Sequence, residues 1–215
     1  MWQLARLGEK RVINAAMRAA MNEAPVELGA AAQPTDEVRH RRVRAMGHYD
    51  ESRQLLMTGR IHDEAPGVEV LTPLVLQGGS VVMVDRGWLA APDAITARPD
   101  MEREPGPREV IGVADSIPTG VIGTPWRPVP ADSAQLWATH LLSLDSLRSR
   151  LPYAIAPYLL HQLPAADVPA RPIRRPPEPL DEGMHLSYAV QWFLFAAASL
   201  LGPPLVLLRR KPRVK

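Results

Sequence analysis

The sequence predicts an α+β fold in which a β-rich extracytoplasmic domain is anchored by a C-terminal transmembrane helix. Residues 25–163 contain short apolar runs separated by Gly- and Pro-containing turn signals, a pattern typical of strands joined by turns. The chain has 23 prolines, which disfavour long helices where they cluster. Residues 187–208 form an uncharged run of 22 residues that is followed directly by a basic tail, as in a membrane anchor.

The composition indicates a globular domain and excludes several kinds of site. Of the 215 residues, 46% are hydrophobic and 22% are charged, which suffices for a core. Because cysteine is absent, disulfides, cysteine-ligated zinc and a cysteine nucleophile are excluded. Residues 209–215 hold five of the 25 basic residues and no acid, whereas the rest of the chain has 20 basic and 23 acidic residues. The basic charge lies in a short tail, so we expect no nucleic-acid partner.

Residues 1–24 are predicted to be helical. The segment from Trp2 to Asn22 is rich in Ala, Leu, Arg, Glu and Met, which favour helix, and it contains one glycine, Gly8, and no proline. Pro25 ends the helix.

Residues 25–163 are predicted to form one β-rich soluble domain. The strand candidates are Val38–His48, Arg53–Ile61, Val68–Leu76, Ser80–Leu89, Glu109–Asp115 and Tyr153–Leu163. Val81 to Val84 is continuously apolar, which predicts a strand buried on both faces. Turn signals at Ala65-Pro66-Gly67 and Gln77-Gly78-Gly79 separate three of these strands. Residues 136–144 fit either a strand or a helix, and Asp145 is predicted to cap a short helix that ends at Arg150.

Residues 164–184 are predicted to be an extended connector, residues 185–208 a transmembrane helix and residues 209–215 a cytoplasmic tail. The stretch from Leu163 to Leu180 contains six prolines, which favours a polyproline-like conformation. A helix of 22 uncharged residues is about 33 Å long, enough to cross a bilayer core of about 30 Å. The alternative for this helix is burial in a protein core.

The predicted topology requires a second membrane segment. The basic tail places the C-terminus in the cytoplasm, so that residues 1–186 lie outside it. A domain of this size does not easily cross the membrane ahead of its only helix, and the first residues are too polar for a signal peptide. We therefore expect a transmembrane helix upstream of Met1 that is missing from this sequence. The alternative is a cytoplasmic domain with an inverted anchor.

The first candidate site is Asp85-Arg86-Gly87-Trp88, at the end of the most apolar strand. Arginine and tryptophan side chains often dominate the binding energy of protein interfaces, and a glycine beside them allows a turn. We therefore predict a partner contact through Arg86, Gly87 and Trp88. In the alternative interpretation all three are structural: Arg86 pairs with a carboxylate, Gly87 adopts a special backbone angle, and Trp88 caps the core.

The second candidate site is His185, where the uncharged run begins. On a helix, His185, Tyr188, Trp192, Phe195 and Ser199 follow steps of three and four residues, so they share one face that is suited to packing on another helix. A histidine beside aromatic rings at a membrane surface is a candidate ligand for haem iron. The alternative is an interfacial histidine within an ordinary aromatic belt.

No enzyme motif is present. The sequence has no H-E-x-x-H, no Walker A loop, no G-x-G-x-x-G and no G-x-S-x-G, and its six histidines lack zinc-ligand spacing. A membrane-tethered hydrolase is the least favoured hypothesis, because the sequence marks no pair of carboxylates that could act as catalytic acid and base.

Five motifs in order resemble those of the surfeit locus protein 1 family. They are W-Q-L-x-R-L-x-E-K (Trp2–Lys10), R-V-R-A-M-G-H-Y-D (Arg42–Asp50), P-G-V-E-V-L-T-P-L (Pro66–Leu74), V-V-M-V-D-R-G-W (Val81–Trp88) and H-L-S-Y-A-V-Q-W-F (His185–Phe193). Two positions depart from the family pattern. Asp85 stands where the family usually has Asn, and Met184 stands where Asn usually precedes the histidine.

This resemblance implies an assembly factor for cytochrome c oxidase rather than an enzyme. It implies two membrane helices flanking an extracytoplasmic domain in a bacterial inner membrane, in contact with membrane lipid. It further implies that haem a is bound through His185, with Tyr188 and Trp192 beside it, and is delivered to oxidase subunit I. The protein partner is then oxidase subunit I or haem a synthase. The alternative is an anchored scaffold that binds an oxidase assembly intermediate without haem, through the Arg86–Trp88 segment and the soluble domain.

Overall fold

A computed structural model describes residues 2–29, 35–130, 136–176 and 190–200. The chain divides into two compact units, residues 1–19 with 178–215 and residues 20–177. Helix α1 begins at Trp2 and continues to Asn22, as the sequence predicts, and residues 190–200 of the first unit are also helical. Within the described ranges, no helix combines the length and the apolar character needed to span a bilayer.

The second unit is β-rich, as predicted. Its strands are β1 (Val26–Leu28), β2 (Arg42–Tyr49), β3 (Leu55–His62), β4 (Ala65–Leu76), β5 (Val81–Ala90), β6 (Pro107–Ser116), β7 (Arg127–Val129), β8 (Leu136–Thr139) and β9 (Ile155–Gln162). Its short helices are α2 (Thr35–Val38) and α3 (Leu144–Arg150), with 3-10 turns at Glu51–Arg53 and Pro99–Met101.

The nine strands of the described residues form one sheet that closes on itself. The strand order is β1-β2-β6-β9-β5-β4-β3-β8-β7, and a further antiparallel pairing of β2 with β4 closes a five-stranded barrel of β2, β6, β9, β5 and β4. Strand β4 pairs with β3 through its first half and with β2 through residues 74–76. The long strand β4 thus belongs both to the barrel and to the side sheet formed by β3, β8 and β7.

The barrel interior is filled by side chains. Val82, Val84 and Leu160 are among its fully buried members. The continuous apolar run at the start of β5 is buried on both faces, as predicted, because Met83 joins a second cluster outside the barrel. Helix α3 covers that second cluster with Leu144 and Leu147. A third apolar cluster includes residues of β3, β4 and β8.

Two local predictions are wrong. The β3–β4 turn lies at Asp63 and Glu64, whose φ angles of +46° and +63° suit a tight two-residue hairpin turn. Ala65-Pro66-Gly67 instead begins β4, where the Cα of Pro66 pairs with that of Ile61. Helix α3 has Ser143 at its N-cap position rather than Asp145. The Asp145 carboxylate accepts a hydrogen bond from the Gly120 amide at 3.0 Å.

Candidate functional site: the Asp85–Trp88 corner

The Asp85-Arg86-Gly87-Trp88 segment lies in the second half of β5, a strand between β4 and β9 in the sheet. Because successive residues of a strand point to opposite faces, Arg86 shares the side of Val82 and Val84, which line the barrel. Asp85 points to the other face, where its Cα is paired with that of His161 on β9. The segment therefore contributes to two separate charged clusters.

The first cluster is centred on the buried carboxylate of Glu104, and we call it the Glu104 cluster. Arg86, which is fully buried, donates to Glu104 Oε1 from Nε at 3.2 Å and from Nη2 at 2.7 Å. Arg174 pairs with the same oxygen, and Arg108 pairs with Oε2. Glu51 accepts from the Glu104 amide at 2.7 Å and lies 3.6 Å from Arg86 Nη1. Three guanidinium groups thus converge on one carboxylate.

The electrostatics of this cluster keep Glu104 ionised. Burial favours the neutral acid, but Arg86, Arg174 and Arg108 outweigh burial and hold the pKa of Glu104 below its ordinary value. Burial also raises the pKa of the Tyr49 phenol, although Arg86 opposes that shift. The Tyr49 ring lies under the Arg86 guanidinium, 5.1 Å from its centroid to Cζ, a cation–π arrangement.

Through Arg174, the Glu104 cluster ties the connector to the barrel. Besides Glu104, Arg174 donates to the carbonyl oxygens of Pro169 at 2.7 Å and Pro172 at 3.0 Å, and to Gln162 Oε1 at 3.2 Å. Burial lowers the pKa of the Arg174 guanidinium, against the attraction of Glu104. Residues 169–174 of the connector are therefore held by a buried cation.

Gly87 and Trp88 hold the connector through the backbone. Trp88 and Ile173 exchange both backbone hydrogen bonds, Trp88 N to Ile173 O at 2.9 Å and Ile173 N to Trp88 O at 2.8 Å. Gly87 has a φ of +114°, which L side chains rarely adopt. The Trp88 indole is buried and makes an edge contact with the His62 ring.

The second cluster lies on the outer face of β4, β5 and β9, and we call it the Asp85–His161 cluster. Asp85 Oδ2 lies 3.0 Å from His161 Nδ1, and Asp85 Oδ1 accepts from the Gly87 amide at 2.9 Å. Glu69 joins the cluster and pairs with Arg60 at 3.0 Å and with Arg175 of the connector at 3.4 Å. The His161 side chain is 31% exposed, so its imidazole is accessible to water.

The pKa values of His161 and Glu69 in this cluster are raised. Burial lowers the pKa of His161, but the hydrogen bond and charge of Asp85, followed by Glu69 and Asp115, raise it overall. Burial and the charge of Asp85 raise the pKa of Glu69, even though Arg60 opposes them. His161 lies on β9 and Glu69 on β4, and Asp85 lies on β5 between them, so the charge of Asp85 acts on both groups.

The structure brings together only part of the predicted sites. Arg86 pairs with the Glu104 carboxylate, Gly87 has a positive φ, and Trp88 is buried. This is the arrangement expected if all three are structural. A direct contact of these residues with a partner stays a prediction. His185 and Tyr188 lie outside the described residues, whereas Trp192 lies in the helical segment 190–200, where its ring contacts that of Phe195 with centroids 6.1 Å apart. Trp192 and Phe195 thus share a helix face, as the spacing predicts.

Sequence reasoning missed Glu104, Arg174 and His161. Glu104 lies in a loop, 18 residues from Arg86, and nothing local marks it as buried. Arg174 lies in a Pro-rich stretch that the sequence predicts to be an extended connector, and no local pattern marks it as buried. His161 lacks metal-ligand spacing, and in residues 2–29, 35–130, 136–176 and 190–200 no group of three or more His, Asp or Glu side chains could hold a metal ion.

Comparison with known proteins identifies relatives of this chain. The SURF1 family model matches residues 1–197. A SURF1-like protein of Rickettsia bellii is 28% identical over 91 residues, which cover 41% of this chain and 36% of the relative. An uncharacterized SURF1-like protein of Mycobacterium tuberculosis is 33% identical over 92 residues, which cover 41% of this chain and 34% of the relative.

A longer match is found with surfeit locus protein 1 of Xenopus tropicalis. It is 22% identical over 214 residues, which cover 92% of this chain and 67% of the relative. The chain thus matches about a third of the length of the bacterial relatives and two thirds of the frog protein. Since the family match extends over nearly the whole sequence, the chain belongs to the SURF1 family.

Proposed function

We propose that this protein is an assembly factor for cytochrome c oxidase and that it does no covalent chemistry. The observation that carries the proposal is the SURF1 family match over residues 1–197, which is consistent with this role. The SURF1 family is known as one of assembly factors rather than enzymes. The filled barrel interior supports a protein that binds and positions a partner or cofactor on its outside.

The proposal includes an anchor in the bacterial inner membrane. The helical segment 190–200 exposes large apolar side chains on all sides, including Trp192, Phe193 and Leu194. A helix that is apolar all round is suited to a core or to lipid. This supports a membrane helix over residues 185–208, with the barrel on the extracytoplasmic side and the C-terminus in the cytoplasm.

The finer part of the proposal is that haem a is the cargo. His185 would ligate the iron, and Tyr188 and Trp192 would pack beside the macrocycle on the same helix face. When bound, haem a supplies the redox-active iron that oxidase subunit I needs. Trp192 is 67% exposed, so its indole is available for such packing. Haem a synthase would supply the haem and subunit I would receive it.

A scaffold without haem is the second candidate. It is favoured by exposed apolar side chains in the soluble unit, of which Ile122 is 96% exposed. In this case the Arg86–Trp88 corner would act by holding the connector in place, since its own side chains are buried.

The visible spectrum of the purified protein tests the haem proposal. Wild type and His185→Ala are isolated in detergent from cells that make haem a, with any upstream membrane helix present. A haem a band that weakens in His185→Ala, but not in the control His48→Ala at an exposed position of β2, supports a carrier. If neither protein holds haem and both still capture subunit I, the protein is a scaffold and not a haem carrier.

A further inference from the structure

A small cavity lies over one end of the side sheet formed by β3, β8 and β7. Its volume is about 280 Å³, and it is bounded by the loop that carries Ile95 and by residues 124–125. The remaining lining residues come from the three strands and the turn after β8: Thr58, Arg127, Ala138, Thr139 and His140.

The wall of the cavity is held by the hydroxyl of Thr124. This oxygen accepts from the amides of His140 at 2.9 Å and Leu141 at 2.8 Å, and it lies 2.7 Å from Thr139 Oγ1. The imidazole of His140 is also fixed, because its Nδ1 lies 3.1 Å from the Thr58 carbonyl oxygen, which only accepts. The cavity is therefore preformed, which lowers the cost of binding.

The lining is apolar with a basic rim. Ile95, Pro125 and Ala138 supply apolar surface, and the charged or titratable lining residues are Arg127 and His140. Arg127 is exposed, so its guanidinium is available at the mouth. Among the residues that the structure describes, no Asp or Glu lines this cavity. The charge at the mouth thus complements a carboxylate.

Exposed apolar side chains extend this surface. Ile122 is 96% exposed, and Leu141 and Ile95 are 44% and 43% exposed. Ile122 and Leu141 lie on the two segments that meet at Thr124, and Ile95 lines the cavity itself. Large apolar residues around a small pocket are typical of a docking site for another protein.

We propose that this surface, formed by Ile95, Ile122, Thr124, Arg127, His140 and Leu141, docks a peptide segment of a partner protein. The segment inserts one large apolar side chain into the cavity and places an adjacent Asp or Glu carboxylate against Arg127. A volume of about 280 Å³ lies at the lower edge of the range of about 300–1,000 Å³ typical of small-molecule sites, which suits one inserted side chain. The choice of partner rests on the proposed function, because an oxidase subunit would supply the segment.

Short overlapping peptides from the extracytoplasmic segments of the oxidase subunits test this docking surface. Each is labelled with a fluorophore, and its binding to the full chain in detergent is followed by anisotropy. The peptides that bind are expected to carry a large apolar residue beside Asp or Glu. Arg127→Glu is expected to weaken their binding about tenfold or more, since it replaces an attractive charge by a repulsive one.

Charge exchange makes the test specific. A peptide whose Asp or Glu is replaced by Lys is expected to bind Arg127→Glu and not wild type. Arg171→Glu, at an exposed arginine of the connector, is the charge-matched control and is expected to bind like wild type. Ile122→Ser is expected to weaken binding, whereas Met101→Ser, at a 72% exposed position outside the lining, is not.

Several results would overturn the proposal. Equal binding of acidic peptides to wild type and Arg127→Glu would show that Arg127 does not pair with the peptide carboxylate. Cross-linking of two copies through position 122, or displacement of bound peptide by phosphatidylglycerol vesicles, would assign the surface to self-association or lipid. The assay reads binding alone. If a strain that lacks this protein still assembles the oxidase normally, the proposed function is wrong, whereas the peptide-binding result is unaffected.

Discussion

The backbone of Gly87 lies so close to that of Ile173 that a Cβ at position 87 would be 2.6 Å from the Ile173 carbonyl carbon. Real Cβ atoms essentially never approach another heavy atom so closely. The connector can therefore bond to β5 along this line only because residue 87 has no side chain.

Gly87→Ala is expected to lower the free energy of unfolding by about 1–3 kcal/mol or more, because it adds a steric clash to a strained φ. Thermal unfolding of the full chain in detergent measures the loss. Gly106→Ala is the matched control, since its φ is +85° and nothing lies within 4 Å of the added Cβ. If the two substitutions cost the same, the approach to Ile173 has no energetic role.

Glu104→Gln is expected to destabilise the barrel by about 3–5 kcal/mol, because it leaves Arg86 and Arg174 buried without their counter-charge. Chemical denaturation gives the difference. Glu109→Gln, which removes a half-exposed carboxylate 3.4 Å from Arg44, is expected to cost about 1 kcal/mol or less. An equally small effect of Glu104→Gln would mean that burial of the Glu104 cluster does not strengthen its contribution to stability.

The ionised state of Glu104 also predicts that the folded protein loses stability in acid. Its folded pKa lies below the ordinary value of 4.5, so its stabilisation is present above that pH and is lost as the pH falls through the folded value. Wild type is therefore expected to lose stability on acidification more steeply than Glu104→Gln. Unfolding midpoints measured across this acidic range check the slope, and parallel curves would contradict it.

His161 predicts a pH dependence of the opposite sign. Its folded pKa is raised above 6.5, so its stabilisation is complete below that pH and is lost as the pH rises through the folded value. The groups that face it are Asp85 on β5, Glu69 on β4 and Asp115 on β6, with Arg60 and Arg175 beyond Glu69.

Asp85→Asn separates the contribution of this pair. An Asn oxygen can still accept from the Gly87 amide, but the negative charge beside His161 is gone. The pKa of His161, followed by NMR of the ring proton, is expected to fall, and the stability advantage of wild type is expected to shrink as the pH rises above 6.5. An unchanged His161 titration would contradict the coupling.

Leu194→Arg tests the membrane anchor. A charge near the centre of a membrane helix costs about 2.5–3.5 kcal/mol on insertion scales, so the variant, made as residues 1–215 without an upstream membrane helix, is expected to become extractable by alkaline carbonate. Leu194→Ala is expected to stay in the membrane fraction. If Leu194→Arg resists extraction as wild type does, the exposed apolar surface of residues 190–200 does not lie in lipid.

Those parts of the fold that depend on local pattern could be predicted from the sequence. The helix from Trp2 to Asn22 follows from composition, and β5 follows from its unbroken apolar run. Strands β1 and β7 have three residues each, too few to show a period. Barrel closure depends on residues 47–49 meeting 74–76, a distant pairing that no local pattern encodes.

The candidate site was predictable only at Arg86, Gly87 and Trp88, because a charged residue and a glycine beside a buried run are unusual. The residues that explain them are distant in sequence: Glu104 is 18 residues from Arg86, and Arg174 is 70 from Glu104. Burial of a charge depends on such partners, so it becomes visible only once the chain is folded.

The bridge between Trp88 and Ile173 has a mechanical consequence. A chain that leaves a domain from an edge strand peels away one hydrogen bond at a time when it is pulled. Here the departing segment is fastened to the strand in the middle of a nine-stranded sheet, and a buried guanidinium adds a second attachment beside it. Tension applied to the connector at Ile173 is thus passed to β5 and, through its ladder hydrogen bonds, to the neighbouring strands β4 and β9.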